Sequence, residues 1–85
     1  MALKEAKALF DDIVDLCYLL GDHNLNDALD SFYQDVKQAC NAYDVLEIAS
    51  ELMFYVDEIS SYDQDIEDAK TEIQNIYNKM QDEIE

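Results

Sequence analysis

Apolar residues recur at every third or fourth position along almost the whole chain, which is the spacing of an amphipathic α-helix. The first segment with this spacing carries a stripe of Ala6, Leu9, Ile13, Leu16 and Leu20. The spacing predicts helices over about residues 3–20, 24–41, 44–60 and 62–83. Proline is absent and glycine occurs once, so little in the chain would interrupt a helix. The pattern therefore predicts an all-α protein.

The segments between these helices contain residues that end or start helices. Gly21 follows the first stripe, at the position past a helix end where a left-handed backbone is needed. Asn24 is the predicted N-cap of the second helix, and Asp44 that of the third. Ser60 and Ser61 are expected to separate the third helix from the fourth. Short connections favour a small antiparallel four-helix bundle, with residues 1–85 forming a single domain.

An alternative is that the last two helices form one. A pattern of steps of three and four continues without a break from Val45 to Met80, across the two serines. A continuous helix of about 40 residues would be about 60 Å long. The first two helices are too short to cover it, so this three-helix arrangement would need a second chain. We therefore expect a monomeric four-helix bundle, with a homodimer built on one long C-terminal helix as the alternative.

The third segment contains five consecutive apolar residues, Leu52 to Val56. Five consecutive apolar residues point to all sides of a helix, so part of this run must face either a second neighbour or a partner. Phe54 lies off the main stripe, as does Tyr18 in the first helix. Each is expected either to pack against a further helix or to form a protein–protein hot spot. Four of the tyrosines are also expected in the core or at its rim: Tyr43, Tyr55, Tyr62 and Tyr77.

The charge balance is extreme, with 21 acidic residues, five lysines and no arginine, for a net charge of −16. Nucleic acids and anionic membranes are bound through Lys and Arg, so neither is expected as a direct partner. A basic protein is the favoured partner.

No apolar run approaches the roughly 18 residues of a membrane span. Cys17 and Cys40 are predicted to be buried free thiols, which is typical of a cytoplasmic protein.

The acidic residues cluster along helical faces without alternating lysines, unlike those of an ordinary solvated helix. Such clusters could imitate the charge of a nucleic acid, or they could serve solubility alone. The residues predicted to bind a partner are these clusters and the two off-stripe aromatics: Asp11, Asp12, Asp15, Tyr18, Phe54, Asp57, Glu58, Asp63, Asp65, Glu67, Asp68 and Glu72.

No combination of residues indicates catalysis, so we expect no enzyme and no cofactor. Neither cysteine has a neighbouring histidine, and a phosphate-binding loop would need more glycines. A calcium loop beginning at Asp63 would need Gly at its sixth position and Glu at its twelfth. The chain has Asp68 and Gln74 there. No metal site is therefore predicted.

In size, composition and lack of catalytic residues the chain is similar to phage anti-defence proteins, such as anti-CRISPR and anti-restriction DNA mimics. This resemblance implies a non-enzymatic inhibitor that binds the basic nucleic-acid-binding surface of a nuclease or a related complex. An immunity protein or antitoxin that neutralises a cationic nuclease toxin is one alternative. A dimeric coiled-coil adaptor without inhibitory activity is another.

Overall fold

The computed structural model describes residues 1–84, which form four α-helices and no strand. They are α1 (Leu3–Leu20), α2 (His23–Lys37), α3 (Ala42–Glu58) and α4 (Gln64–Ile84). The Cα radius of gyration is 12.2 Å, close to the roughly 12 Å of a compact chain of this length. The prediction of a small all-α bundle with four helices is confirmed.

The helices run up and down in alternation. Lys7 Nζ of α1 donates to the Lys37 carbonyl at the end of α2 at 3.2 Å, and the Met1 ammonium donates to the Glu83 carbonyl of α4 at 3.3 Å. Both α2 and α4 pack against α1 and α3 but not against each other. Helices α1 and α3 also contact one another across the centre. The outer surfaces of α1 and α3 therefore point in different directions, away from their shared contact.

The helix starts differ from those predicted at the level of single residues. Asp22, rather than Asn24, caps α2 by accepting a hydrogen bond from the Leu25 amide at 2.8 Å. Asn41, rather than Asp44, caps α3 by accepting from the Asp44 amide at 2.9 Å. Gly21 ends α1 with φ of 65°, the left-handed conformation that was expected there.

Helices α3 and α4 are separate, so the alternative of one long C-terminal helix is wrong. Helix α3 ends at Glu58, and Ile59 follows in an extended conformation. The ammonium of Lys70 donates to the carbonyl of Ile59, the residue that follows the end of α3. The longest dimension of the molecule is 37 Å, whereas a continuous helix of about 40 residues would extend about 60 Å.

The core is apolar throughout, and no polar or charged side chain is buried among the described residues. The largest fully buried side chains come from all four helices: Phe10, Ile13, Leu25, Leu29, Leu52, Ile73 and Met80. Cys17 belongs to this core, as predicted, but Cys40 is exposed. Helix α2 ends at Lys37, four residues earlier than expected, so Cys40 lies in the turn before α3 instead of on an inward helical face.

Candidate partner-binding surface

The exposed side of α1 forms a ridge with open grooves on both flanks. Two adjoining grooves of about 560 and 530 Å³ separate it from α4. A third, of about 430 Å³, separates it from α2. Asp15 lines a groove on each side of the ridge, so the surface is continuous from α2 across α1 to α4. We call it the acidic face, after the carboxylates that line it: Asp11, Asp12, Asp15, Asp30, Asp65, Asp68 and Glu72.

Seven residues predicted from the sequence to bind a partner line this one face. Tyr18 is 55 % exposed and lines the groove towards α2. The other six are carboxylates of α1 and α4: Asp11, Asp12, Asp15, Asp65, Asp68 and Glu72. The α1 and α4 clusters are far apart in the sequence. They meet because the two helices pack antiparallel.

Asp63 and Glu67, two of the residues predicted to bind a partner, lie near the acidic face but have different surroundings. Asp63 is the N-cap of α4: its carboxylate accepts from the Asp65 amide at 2.9 Å, and its carbonyl accepts from the Glu67 amide at 3.1 Å. The Glu67 side chain is half-buried. Their carboxylates therefore contribute negative charge near the acidic face, but neither lines its grooves.

The remaining predicted residues, Phe54, Asp57 and Glu58, lie on α3, outside the acidic face. Phe54 is 70 % exposed, so it does not pack against a second neighbouring helix as one prediction had it. It lines a small hollow of about 220 Å³ with Tyr55 and Glu58. Tyr55 packs edge-on against Phe32 of α2, with ring centroids 5.7 Å apart. The residues predicted from the sequence to bind a partner therefore lie on two separate surfaces of the folded protein.

Tyrosines expected at the rim of the core differ in their exposure. Tyr77 is half-buried and Tyr55 packs on α2, in agreement with that expectation. Tyr43 is 52 % exposed, and Tyr62 is fully exposed just before α4. Tyr62 follows the break after α3, so the helical spacing that placed it on the apolar stripe does not continue to its position.

The lysines leave the carboxylates without ion-pair partners. Within residues 1–84 the one pair of opposite charge within 4.0 Å joins His23 to Asp27, and it exists only when the histidine is protonated. Lys7 and Lys70 donate instead to backbone carbonyls at helix ends, and Lys37 lies over the Tyr33 ring. The acidic face is therefore not neutralised by its own chain.

Charge is also unevenly distributed along the bundle. The end that contains the start of α1 and the ends of α2 and α4 holds most of the cations: the N-terminal ammonium, Lys4, Lys7, Lys37 and Lys79. No lysine lines the three grooves of the acidic face. The opposite end, formed by the α1–α2 turn and the α3–α4 connection, holds one of the five lysines, Lys70.

Four exposed residues of the acidic face were missed by the sequence prediction: Leu19, Asp30, Tyr33 and Asn75. Leu19 is 68 % exposed, four positions after Asp15 and therefore on the same outward side of α1. That spacing could have identified it. Asp30 and Tyr33 join the face only because α2 packs beside α1, and this neighbour relation is not contained in the spacing of α2 itself.

The described residues contain no group of three or more His, Cys, Asp or Glu side chains arranged to hold a metal ion. Nor is any of the helices in residues 1–84 long and apolar enough to cross a membrane. Comparisons with protein-family models, curated proteins and solved structures found no match to this chain.

Proposed function

We propose that the protein is a non-enzymatic inhibitor that binds the basic, nucleic-acid-binding surface of a target protein through its acidic face. The observation that carries this proposal is the convergence of α1 and α4 carboxylates on one surface that no lysine neutralises. A surface of this kind costs stability, because like charges on neighbouring helices repel one another. A complementary cationic surface would convert that repulsion into attraction.

The apolar residues of the same face favour a protein partner over a simple counterion. Tyr18 and Leu19 are both more than half exposed on the α1 ridge, between the acidic grooves. Exposed tyrosine beside charged residues is typical of interface hot spots. A surface that only imitated phosphate charge would not need these apolar side chains, whereas one shaped to a particular protein would.

The charge gradient along the bundle supports fast and oriented association. The groove lined by Asp65 and Asp68 lies away from the lysine-rich end, so a cationic cleft would attract one end of the molecule first. Electrostatic steering of this kind raises association rates by about 10- to 1000-fold and weakens as salt is added. We place this activity in the cytosol, where a nuclease or a nucleic-acid-binding complex would be encountered.

The test uses two variants with the same change in charge. The acidic-face variant carries Asp12→Asn, Asp15→Asn and Glu72→Gln, three residues that line one groove. The matched variant carries Asp35→Asn, Glu47→Gln and Asp82→Asn, three exposed residues outside the acidic grooves. Proteins of the native host that bind the immobilised wild-type chain are purified, and their binding to duplex DNA and to RNA is then measured with each variant present.

The wild-type chain and the matched variant are expected to displace nucleic acid from the captured protein, and the acidic-face variant is expected to do so at least tenfold less well. Each rim charge that is lost mainly lowers the association rate and its salt dependence. If nucleic-acid binding is unaffected by the wild-type chain, or both variants compete equally, the proposal is wrong. Identification of the captured protein as a toxin encoded beside this chain would instead make the inhibitor an immunity protein.

A further inference from the structure

The groove between α1 and α2 differs from the other acidic grooves because it has aromatic walls. Its volume is about 430 Å³, and its lining residues are Asp11, Val14, Asp15, Tyr18, Asp30 and Tyr33. Tyr18 comes from α1 and Tyr33 from α2, and the two residues are 55 % and 37 % exposed. The grooves towards α4 contain aliphatic side chains instead of rings.

Both the charge and the rings of this groove suit a cation. Three of its lining residues are exposed aspartates, and no lysine lines it. The Tyr33 ring already takes part in one cation–π contact, since Lys37 Nζ lies 4.8 Å from its centroid. The carboxylates of Asp11, Asp15 and Asp30 have no ion-pair partner among the described residues. A cation from another molecule would therefore meet unpaired carboxylates next to an exposed π surface.

We propose that this groove binds the guanidinium group of an arginine side chain from the basic partner, an inference that rests on the proposed function. A guanidinium is planar, stacks on aromatic faces and pairs with a carboxylate through two parallel hydrogen bonds. A lysine ammonium is a compact, strongly hydrated point charge that cannot make the paired contact. A second copy of this chain cannot supply the group, because the sequence contains no arginine.

The probes for the test are octa-arginine and octa-lysine peptides, which have equal charge and differ in the cation they present. Their affinities for the intact chain are measured by fluorescence anisotropy at fixed ionic strength. The wild-type chain binds octa-arginine more tightly than octa-lysine, and Tyr18→Ala lowers the ratio of the two affinities by about 2- to 5-fold, the range of a cation–π contact at an exposed site. Tyr18→Phe retains most of the ratio, because the ring remains. Tyr43→Ala, which removes a tyrosine 52 % exposed on α3, leaves it unchanged.

The two proposals fail in different ways. If both peptides bind, the acidic-face variant weakens both, and Tyr18→Ala leaves their affinity ratio unchanged, the arginine groove is refuted and the acidic face retains its proposed role. If each peptide binds the wild-type chain no more tightly than it binds the acidic-face variant, the proposed function is refuted, and the arginine groove is refuted with it. Circular dichroism of each variant verifies that the helices are retained.

Discussion

Cys17 and Cys40 are both free, but only Cys17 lies in the apolar core. Burial raises the pKa of the Cys17 thiol from 9.0 to about 12, because the core cannot solvate a thiolate. The thiol of the unfolded chain therefore ionises at lower pH than the thiol of the folded chain. The stability that Cys17 contributes is fully present below pH 9 and is lost as the pH rises towards 12.

The first prediction is that wild-type stability falls by about 1 kcal/mol more than that of Cys17→Val between pH 8.5 and pH 10. Urea unfolding of both proteins at each pH measures the difference. Both proteins contain the same tyrosines, so any contribution of the tyrosines to the pH dependence is the same in both and does not affect the difference. Cys40→Ser serves as the control and should follow the wild type, since Cys40 is exposed. A thiol reagent should also modify Cys40 at once and Cys17 only on unfolding. Equal reactivity of the two thiols would contradict the burial of Cys17.

Individual turn residues show where prediction from the sequence loses accuracy. The apolar stripe correctly placed Cys17 in the core, because helical spacing determines which side of a helix a residue occupies. Cys40 was misplaced because the spacing does not tell where α2 ends. The backbone tightens there, with the Ala39 amide donating to the Val36 carbonyl at 3.1 Å, and the chain turns towards α3.

At the scale of whole helices, the connection between α3 and α4 depends on Asp63. Its carboxylate satisfies the Asp65 amide, one of the amides at the start of α4 that have no partner within the helix. The second prediction is that Asp63→Ala lowers the free energy of unfolding by about 1 kcal/mol, a typical loss for an N-cap. Asp63→Asn should stay close to the wild type, because asparagine caps equally well and its side-chain oxygen can accept the same bond.

Urea unfolding followed by circular dichroism measures both Asp63 variants. Asp57→Ala is the control, since it removes an exposed carboxylate near the end of α3 without removing a cap. A stability of Asp63→Ala equal to that of Asp63→Asn would show that charge, rather than capping, is what Asp63 provides. The comparison of these two variants also matters for partner-binding experiments. If Asp63→Ala weakened binding, the cause could be either fraying of α4 or loss of a contact to the partner, whereas Asp63→Asn removes the charge and keeps the cap.

The helices themselves were largely predictable, but their caps and neighbours were not. Each connection holds several polar residues able to cap, and the choice of Asp22 over Asn24 depends on where the chain enters α2. Likewise, the spacing predicted which carboxylates of α1 and α4 point outward. It did not predict that they line common grooves, or that Phe54 belongs to a different surface, because both depend on which helices pack together.

At the scale of the whole molecule, the distribution of charge opposes folding. The net charge is −16, and within residues 1–84 no lysine forms an ion pair with a carboxylate. Proteins held together by surface ion pairs lose that contribution when salt is added, since salt screens attraction. In this protein the interactions between surface charges are mainly repulsive, so added salt is expected to increase its stability.

The third prediction is that raising NaCl from 10 to 300 mM increases the Tm by about 5 °C, which corresponds to about 1 kcal/mol for a domain of this size. Over that range the Debye length falls from about 30 Å to less than 10 Å, below the width of the molecule. The acidic-face variant should already melt higher than the wild type in 10 mM NaCl and should gain less from added salt, because it lacks three of the repelling carboxylates. The matched variant, whose changes lie outside the grooves, should fall between the two. A Tm that decreases with NaCl, or an acidic-face variant less stable than the wild type, would mean that these carboxylates have attractive partners, and the face would not be available to a cationic target.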